Sequence, residues 1–136
     1  MARFNYVELP VSDTGAARAF YEAAFGWSLT EFGPTYAATV TGDTDIGLQG
    51  DPAEATKAPL PVIDVVDLEA ALAAVESAGG RIVRPIFAFP GGRRFHFLDP
   101  SGNELAAVKA DHQPSSQRRL GPPGVKGTTA RNGRGP

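Results

Sequence analysis

The chain has 136 residues, which suits one domain, and 42% of them are hydrophobic, which is enough to build a core. It contains no cysteine, so disulfide scaffolds, thiolate metal sites and cysteine nucleophiles are excluded. The net charge of −2 conceals an acidic body, −7 over residues 1–111, and a basic tail, +5 over residues 113–136; the acidic body argues against a nucleic-acid partner, because phosphate contacts need a basic face.

The chain begins with a pattern that predicts a strand. Residues 5–11 alternate, with Val7 and Leu9 on one face and Tyr6 and Glu8 on the other. Because the next predicted element is an apolar helix, we expect it to cover the Val7 face. Tyr6 and Glu8 are then left on the opposite face of the sheet.

A helix is predicted over residues 14–25, followed by three short strands near 27–32, 36–41 and 45–49. Asp13 is its predicted N-cap and Gly26 its predicted end. Its apolar stripe has helical spacing and consists of Ala17, Phe20 and Ala24. With the first strand, these elements form a predicted strand, helix, strand, strand, strand unit over about residues 4–50.

The second half of the chain predicts the same unit again, over about residues 59–110, after a polar linker at 50–59. A strand near 61–66 precedes a helix capped by Asp67, with an apolar stripe of Leu68, Leu72 and Val75. Strands follow near 81–85, 94–98 and 104–109, and the DPSGN stretch at 99–103 predicts a hairpin turn.

The two units are related by an internal repeat. With a shift of 54, residues 7–29 match residues 61–83 at eight of 23 positions. With a shift of 59, residues 36–49 align with residues 95–108. One unit of about 50 residues is therefore predicted to be duplicated.

Three stretches carry a resemblance to a known family: PVSDTGAARAFYEAAFGW, VVDLEAALAAVESAGGRIV and FHFLDPSGNELAAV. Together with the duplicated unit, they resemble the vicinal oxygen chelate superfamily, which includes glyoxalases, extradiol dioxygenases and bleomycin-type resistance proteins. The resemblance covers residues 4 to about 109. It implies an α+β fold of two tandem βαβββ units that form a curved mixed-sheet cup with the helices on the outside.

In enzymes of this family, as the resemblance implies, the cup holds a divalent metal. Its His, Glu or Gln ligands come from the first and last strand of each unit, and the metal acts as a Lewis acid on vicinal oxygens of the substrate. Here those positions fall on Tyr6, Gly47 or a neighbour of it, Leu60 and Ala106, none of which is a good ligand. We therefore expect no tightly held metal and no cofactor.

A displaced metal site stays open as an alternative. Glu8 and Gln49 lie two residues from the implied positions, and residues two apart share a strand face. With His96 they are a second set of ligands to be tested.

Four residues are predicted to contact a ligand: Tyr6, Glu8, His96 and Arg94. A carboxylate at Glu8 would be desolvated in the cup, and a cationic or hydroxyl-bearing ligand would relieve that cost. Burial would also suit Glu8 to act as a general base. The alternative for Tyr6 and Glu8 is a purely structural role, with Tyr6 filling the core and Glu8 bonded to a neighbouring strand.

For His96 and the arginines that precede it, the sequence leaves both a ligand contact and a structural role open. Phe95 and Phe97 flank His96 and take the opposite face, but the sequence does not say which face is concave, so a structural histidine is the alternative to a ligand contact. Arg93 and Arg94 follow a glycine pair and are predicted to lie in a mobile loop, where they would meet an anionic ligand or only solvent.

These observations predict a protein that binds a small organic molecule in its cup, with no assigned catalytic residue. Drug-sequestering resistance proteins belong to that class. A metal-dependent lyase, isomerase or dioxygenase is the alternative, and a structural or regulatory partner is a third.

We also expect a two-fold homodimer, because the sheet edges are exposed and because the family resemblance suggests pairing of chains, with a contact near Trp27. Neither a secretory leader nor an apolar run of about 18 residues is visible, so a cytoplasmic protein without membrane contact is expected. Residues 1–112 form the predicted domain. Residues 113–136, rich in Gly, Pro, Ser and Arg, form a predicted disordered tail.

Overall fold

The computed structural model describes residues 2–111, which form one mixed sheet of eight strands with two helices. In chain order the elements are β1 (Arg3–Pro10), α1 (Thr14–Phe25), β2 (Thr30–Glu31), β3 (Tyr36–Ala38), β4 (Asp45–Gln49), β5 (Leu60–Asp64), α2 (Leu68–Ser77), β6 (Arg81–Phe89), β7 (Gly92–Leu98) and β8 (Glu104–Ala110). The tail predicted at 113–136 lies outside the described residues.

The strand order is β2-β3-β4-β1-β5-β8-β7-β6, so each half of the chain contributes four neighbouring strands. In each half the first and last strands pair in parallel, and the antiparallel pair of β1 and β5 joins the halves. Glu8 lies opposite Gly47 in one half, and Val62 lies opposite Ala106 in the other. The repeat shift of 54 aligns Glu8 with Val62, and the shift of 59 aligns Gly47 with Ala106. The predicted α+β fold of two βαβββ units is confirmed.

Both helices begin and end where the sequence predicts. The Asp13 carboxylate accepts a hydrogen bond from the Ala16 amide at 3.0 Å, and Asp67 accepts one from the Ala70 amide at 2.9 Å. Gly26 closes α1 with a left-handed φ of 70°, and its amide donates to the Glu22 carbonyl.

The two helices lie against one face of the sheet, and each covers its own apolar cluster. Under α2, the predicted stripe is confirmed: Leu68 is buried with Phe95, Phe97 and Ala107, and Leu72 and Val75 pack against them. Under α1 the predicted stripe is confirmed at Ala17 and wrong at Phe20 and Ala24. Ala17 and Tyr21 face the sheet, whereas Phe20 is 59% exposed. The spacing of the apolar residues predicted a helix but not which side of it faces the sheet, because Phe20 and Tyr21 are adjacent and both are large aromatic residues.

The hairpins correct one prediction and confirm another. The turn at 99–103 is confirmed: the Asp99 amide donates to the Asn103 carbonyl at 2.9 Å. The predicted mobile loop at Arg93 and Arg94 is wrong, because both residues lie in β7, which pairs with β6 on one side and β8 on the other. Only Pro90 and Gly91 separate β6 from β7, so the hairpin is longer and tighter than the glycine pair suggested.

Neither helix within residues 2–111 has the length and apolar character that a membrane span requires.

Candidate functional site

The sheet face opposite the helices, here called the cup face, carries its own core. Strand alternation brings to it the side chains of Tyr6, Leu60, Val62, Phe89, Ala106 and Val108. Tyr6 and Glu8 point to this face, while Leu9 packs under α1. The strand alternation of residues 5–11 therefore predicted their shared face.

A chain of three hydrogen-bonded side chains crosses the first unit. The hydroxyls of Tyr6 and Tyr36 lie 2.6 Å apart, and the Tyr36 hydroxyl donates to Glu8 Oε2 at 2.8 Å. Burial raises the pKa of Tyr36 well above its usual range, and the adjacent Glu8 charge raises it further. Gly47 makes room for this chain, because a Cβ there would overlap both tyrosine hydroxyls.

Glu8 meets a charge from the second unit. Arg94 Nη2 lies 3.6 Å from Glu8 Oε1, and the two side chains are only 4% and 2% exposed. This arrangement corrects the expectation that Glu8 needs a cationic ligand to offset its burial, since the guanidinium of Arg94 already supplies a positive charge. At 3.6 Å the pair is longer than a hydrogen bond, and Glu8 Oε1 and Arg94 Nε have no hydrogen-bond partner among the described residues.

His96 lies on the same face, opposite Ala106 on β8 and opposite Arg84 on β6. Burial, with smaller contributions from the charges of Arg94 and Arg84, lowers the pKa of His96 to about 2. The imidazole is therefore neutral at pH 7, and its contact with Glu104, 2.8 Å from Nδ1 to Oε2, is a hydrogen bond to a carboxylate rather than an ion pair.

This bond determines the tautomer of His96. Because Glu104 accepts, Nδ1 carries the proton and Nε2 is an acceptor. Nε2 is buried and has no partner among residues 2–111. A buried acceptor without a donor costs free energy, about 1–3 kcal/mol, and marks a place where a donor would be stabilising.

His96 is one of the residues that line an open groove of about 870 Å³. The 54–59 segment forms one wall, and the ends of β6, β7 and β8 with the 99–103 turn form the other. Arg84 lines it, donates to Glu54 at 3.2 Å and stacks on Phe87, with its guanidinium carbon 3.8 Å from the ring centroid. Of the four residues predicted to contact a ligand, His96 lines the groove. Tyr6, Glu8 and Arg94 lie deeper on the cup face.

The residues at the implied metal positions do not fit a divalent ion. Leu60 and Ala106 are fully buried hydrocarbon, and the space that a side chain at position 47 would take is filled by two tyrosine hydroxyls. No cluster of three or more His, Asp or Glu side chains suited to a metal occurs within residues 2–111.

Two members of the displaced metal set are engaged elsewhere. Glu8 faces the guanidinium of Arg94, which repels a second cation. Gln49 Oε1 accepts from the Asp51 amide at 3.0 Å. This leaves His96, whose Nε2 has no partner among residues 2–111, and a single nitrogen does not form a metal site.

Three residues of this region were not among the predicted ligand contacts: Tyr36, Arg84 and Glu104. The shift of 59 pairs Tyr36 with Phe95, which lies on the helix face, and this pairing concealed its place on the cup face. The usable signal was the turn itself. Glu104 follows DPSGN directly, so it starts the strand beside His96 and within reach of it.

A family model and two curated proteins each match more than three quarters of this chain. The model of the glyoxalase/bleomycin resistance protein/dioxygenase superfamily matches residues 3–107. A putative glyoxylase of Mycobacterium tuberculosis is 30% identical over 118 residues, covering 79% of this chain and 45% of that protein. A putative glyoxylase of Mycobacterium bovis gives the same values. The chain thus spans about half the length of these curated relatives.

Solved structures share the fold at low identity. A methylmalonyl-CoA epimerase from Mycobacterium tuberculosis has a TM-score of 0.63 at 18% identity, over 80% of this chain and 88% of that one. A superfamily member from Vibrio splendidus has a TM-score of 0.64 at 16% identity, over 82% and 100%. A Mn(II)-bound glyoxalase from Novosphingobium aromaticivorans has a TM-score of 0.58 at 21% identity, over 84% and 43%.

Proposed function

Since the chain belongs to the glyoxalase/bleomycin resistance protein/dioxygenase superfamily, we propose that it binds a small organic molecule in the groove beside its cup face, without a tightly held metal. The single observation that carries the proposal is the groove itself, whose lining includes His96, a residue with a buried acceptor, Nε2, that has no partner among residues 2–111. Its volume of about 870 Å³ is in the range of small-molecule sites, and apolar walls with a few polar groups are typical of them.

The cup face supports the metal-free part of the proposal. Arg94 places a fixed positive charge beside Glu8, on the face where the family resemblance implies a metal. This charge belongs to the chain and needs no cofactor. We propose that Tyr6, Glu8 and Arg94 act from behind the groove, where they fix the shape and charge of its inner end.

Two other functions receive less support from the site. A metal-dependent lyase, isomerase or dioxygenase needs ligands that positions 6, 47, 60 and 106 do not provide. Sequestration of a cationic drug needs acidic groups that lack a partner, but Glu8 is paired with Arg94, Glu54 with Arg84, and Glu104 with His96.

Metal analysis and a ligand screen on the full chain test the proposal. After extensive dialysis we expect no stoichiometric Zn, Ni, Mn or Fe, and a chelator should leave the melting temperature unchanged. A library of metabolites and antibiotics should contain compounds that raise the melting temperature, because a ligand that binds only the folded state stabilises it. Close to one metal per chain, or no stabilising compound in a broad library, would overturn the proposal.

A further inference from the structure

The groove allows the class of ligand to be inferred, and this inference rests on the proposed function. One of the residues that line it, His96, carries an acceptor. His96 has two ring nitrogens, and Nδ1 is already used as a donor to Glu104. The remaining nitrogen, Nε2, accepts only, so the ligand atom that meets it must carry an N–H or O–H.

A donor lies next to this acceptor. Arg84 is the cross-strand partner of His96 on β6, and both line the groove. Its guanidinium has five N–H donors, and its bond to Glu54 uses one nitrogen, Nη1. The stacking on Phe87 holds the guanidinium plane in place. A ligand that reaches His96 Nε2 therefore also meets the donors of Arg84 on the neighbouring strand.

The charges of the groove disfavour an ion. Glu54, Asp99 and Glu104 line it together with Lys57 and Arg84, a balance of one negative charge. An anion would meet this acidic balance and the lone pair of Nε2. A cation would meet the guanidinium of Arg84, with that of Arg94 behind it. The rest of the walls is largely apolar, from residues such as Ala58, Pro59, Pro61 and Leu105.

We propose that the groove binds an uncharged ligand with a carboxamide-like group, whose N–H donates to His96 Nε2 and whose carbonyl accepts from Arg84. The apolar part of the ligand lies between the 54–59 segment and the ends of β6, β7 and β8. A carboxamide satisfies both protein groups at once. A carboxylate offers acceptors only, and an amidinium offers donors only.

Three probes of nearly the same shape test this inference: benzamide, benzoate and benzamidinium. Each is titrated at neutral pH into the full chain labelled with ¹⁵N-histidine, which contains two histidines, so that the His96→Phe variant assigns the His96 signals. We expect benzamide to shift the His96 Nε2 resonance in a saturable way. Benzoate and benzamidinium should bind at least about tenfold more weakly, the scale of one mismatched hydrogen bond.

Two variants complete the test. His96→Phe and Arg84→Met should each weaken benzamide binding about tenfold. The matched control is Arg93→Ala, since Arg93 lies one residue from Arg94 but pairs with Glu69 of α2 instead of facing the groove. If His96→Phe does not fold, Arg84→Met decides alone, because its side chain is 31% exposed on an edge strand.

The outcomes separate the two proposals. If the ligand screen finds binders but benzoate or benzamidinium equals benzamide, if benzamide does not bind, or if both variants keep full affinity, the ligand class is wrong and the binding function stands. If the screen and all three probes show no binding, the proposed function itself fails.

Discussion

At the scale of single residues, the main feature is a charge pair that joins distant parts of the chain. Glu8 and Arg94 are 86 positions apart in sequence, and each would pay a large desolvation cost alone. The Tyr36 hydroxyl donates to the second oxygen of the Glu8 carboxylate. The carboxylate is therefore held by one cation and one hydroxyl, both supplied by the protein.

Glu8→Gln should reduce the free energy of unfolding by about 3 kcal/mol, because it leaves the Arg94 guanidinium buried without its counter-charge. The double variant Glu8→Gln/Arg94→Met should recover most of this loss, since no charge then remains buried. Urea denaturation of the parent, of the single variants Glu8→Gln and Arg94→Met, and of the double variant measures the coupling. The control is Glu69→Gln, which breaks the exposed pair with Arg93. A Glu8→Gln protein as stable as the parent would show that the pair contributes nothing.

The buried imidazole of His96 leads to a second prediction, about how the stability of the fold depends on pH. Its folded pKa of about 2 lies below its ordinary 6.5, so below pH 6.5 the unfolded chain binds a proton that the folded chain does not. The contribution of His96 to stability therefore falls as pH falls from 6.5 towards 2. The charged groups that face it are Glu104, Arg94 and Arg84.

His96→Phe removes this titration. Between about pH 6 and pH 4, the unfolding free energy of the parent should fall more steeply than that of the variant, by up to about 1.4 kcal/mol per pH unit. Urea denaturation at several pH values measures both slopes. Parallel slopes would mean that His96 keeps an ordinary pKa in the folded protein.

At the scale of elements, β4 is shaped by the absence of a side chain at Gly47. β3 and β1 flank it and bring Tyr36 and Tyr6 towards the same point. Strand glycines usually weaken a strand, but this one allows two hydroxyls to meet. Close approach of side chains, rather than backbone flexibility, explains this glycine.

Gly47→Ala should destabilise the fold by about 1–3 kcal/mol, because the new methyl group overlaps both hydroxyls. In a background with Tyr6→Phe and Tyr36→Phe the loss should be smaller, since both hydroxyls are gone, although the ring carbon Cζ of residue 36, at 2.7 Å, still crowds the new methyl group. Gly15→Ala in α1 is the control, because a Cβ there meets only a carboxylate oxygen at 3.6 Å. Thermal unfolding compares them, and equal losses in both backgrounds would contradict this explanation.

The elements were predictable because their signals are local. Asp13, Asp67, Gly26 and the DPSGN turn each act within a few residues, and all took the predicted roles. The phase of α1 was not predictable, because two adjacent aromatic side chains competed for one face. The partners of Glu8 and His96 were also hidden, since they depend on strand register and on side chains from other strands.

At the scale of the whole molecule, one surface stands out. The α1 aromatic patch, formed by Phe20, Tyr21, Phe25 and Trp27, lies at the end of α1. The rings of Tyr21, Phe25 and Trp27 stack, with the Tyr21 and Trp27 centroids 5.2 Å apart, and Phe20 meets Tyr21 edge-on. Phe25 is 61% exposed and Phe20 59% exposed. Contiguous exposed aromatic surface of this kind is typical of contact sites between proteins.

We propose that a second copy of this chain covers the patch and forms a homodimer, because the patch is apolar and exposed and the sheet ends in two edge strands, β2 and β6. Light scattering at micromolar concentrations should give the mass of two chains. Phe25→Asp should give monomers, whereas Val66→Asp, at a position 75% exposed beyond the patch, should leave the dimer intact. A monomeric parent, or a dimer unaffected by Phe25→Asp, would refute this assembly.

The register of the sheet also shows that the two halves of the cup face carry different side chains. Ala38 lies opposite Gly47 as His96 lies opposite Ala106, so the first unit has an alanine where the second has its imidazole. Tyr6 and Glu8 correspond in the same way to Leu60 and Val62. A symmetric cup would offer two equivalent half-sites. This chain has broken that symmetry, so the proposed ligand should bind in the groove of the second unit with a stoichiometry of one per chain and in a single orientation.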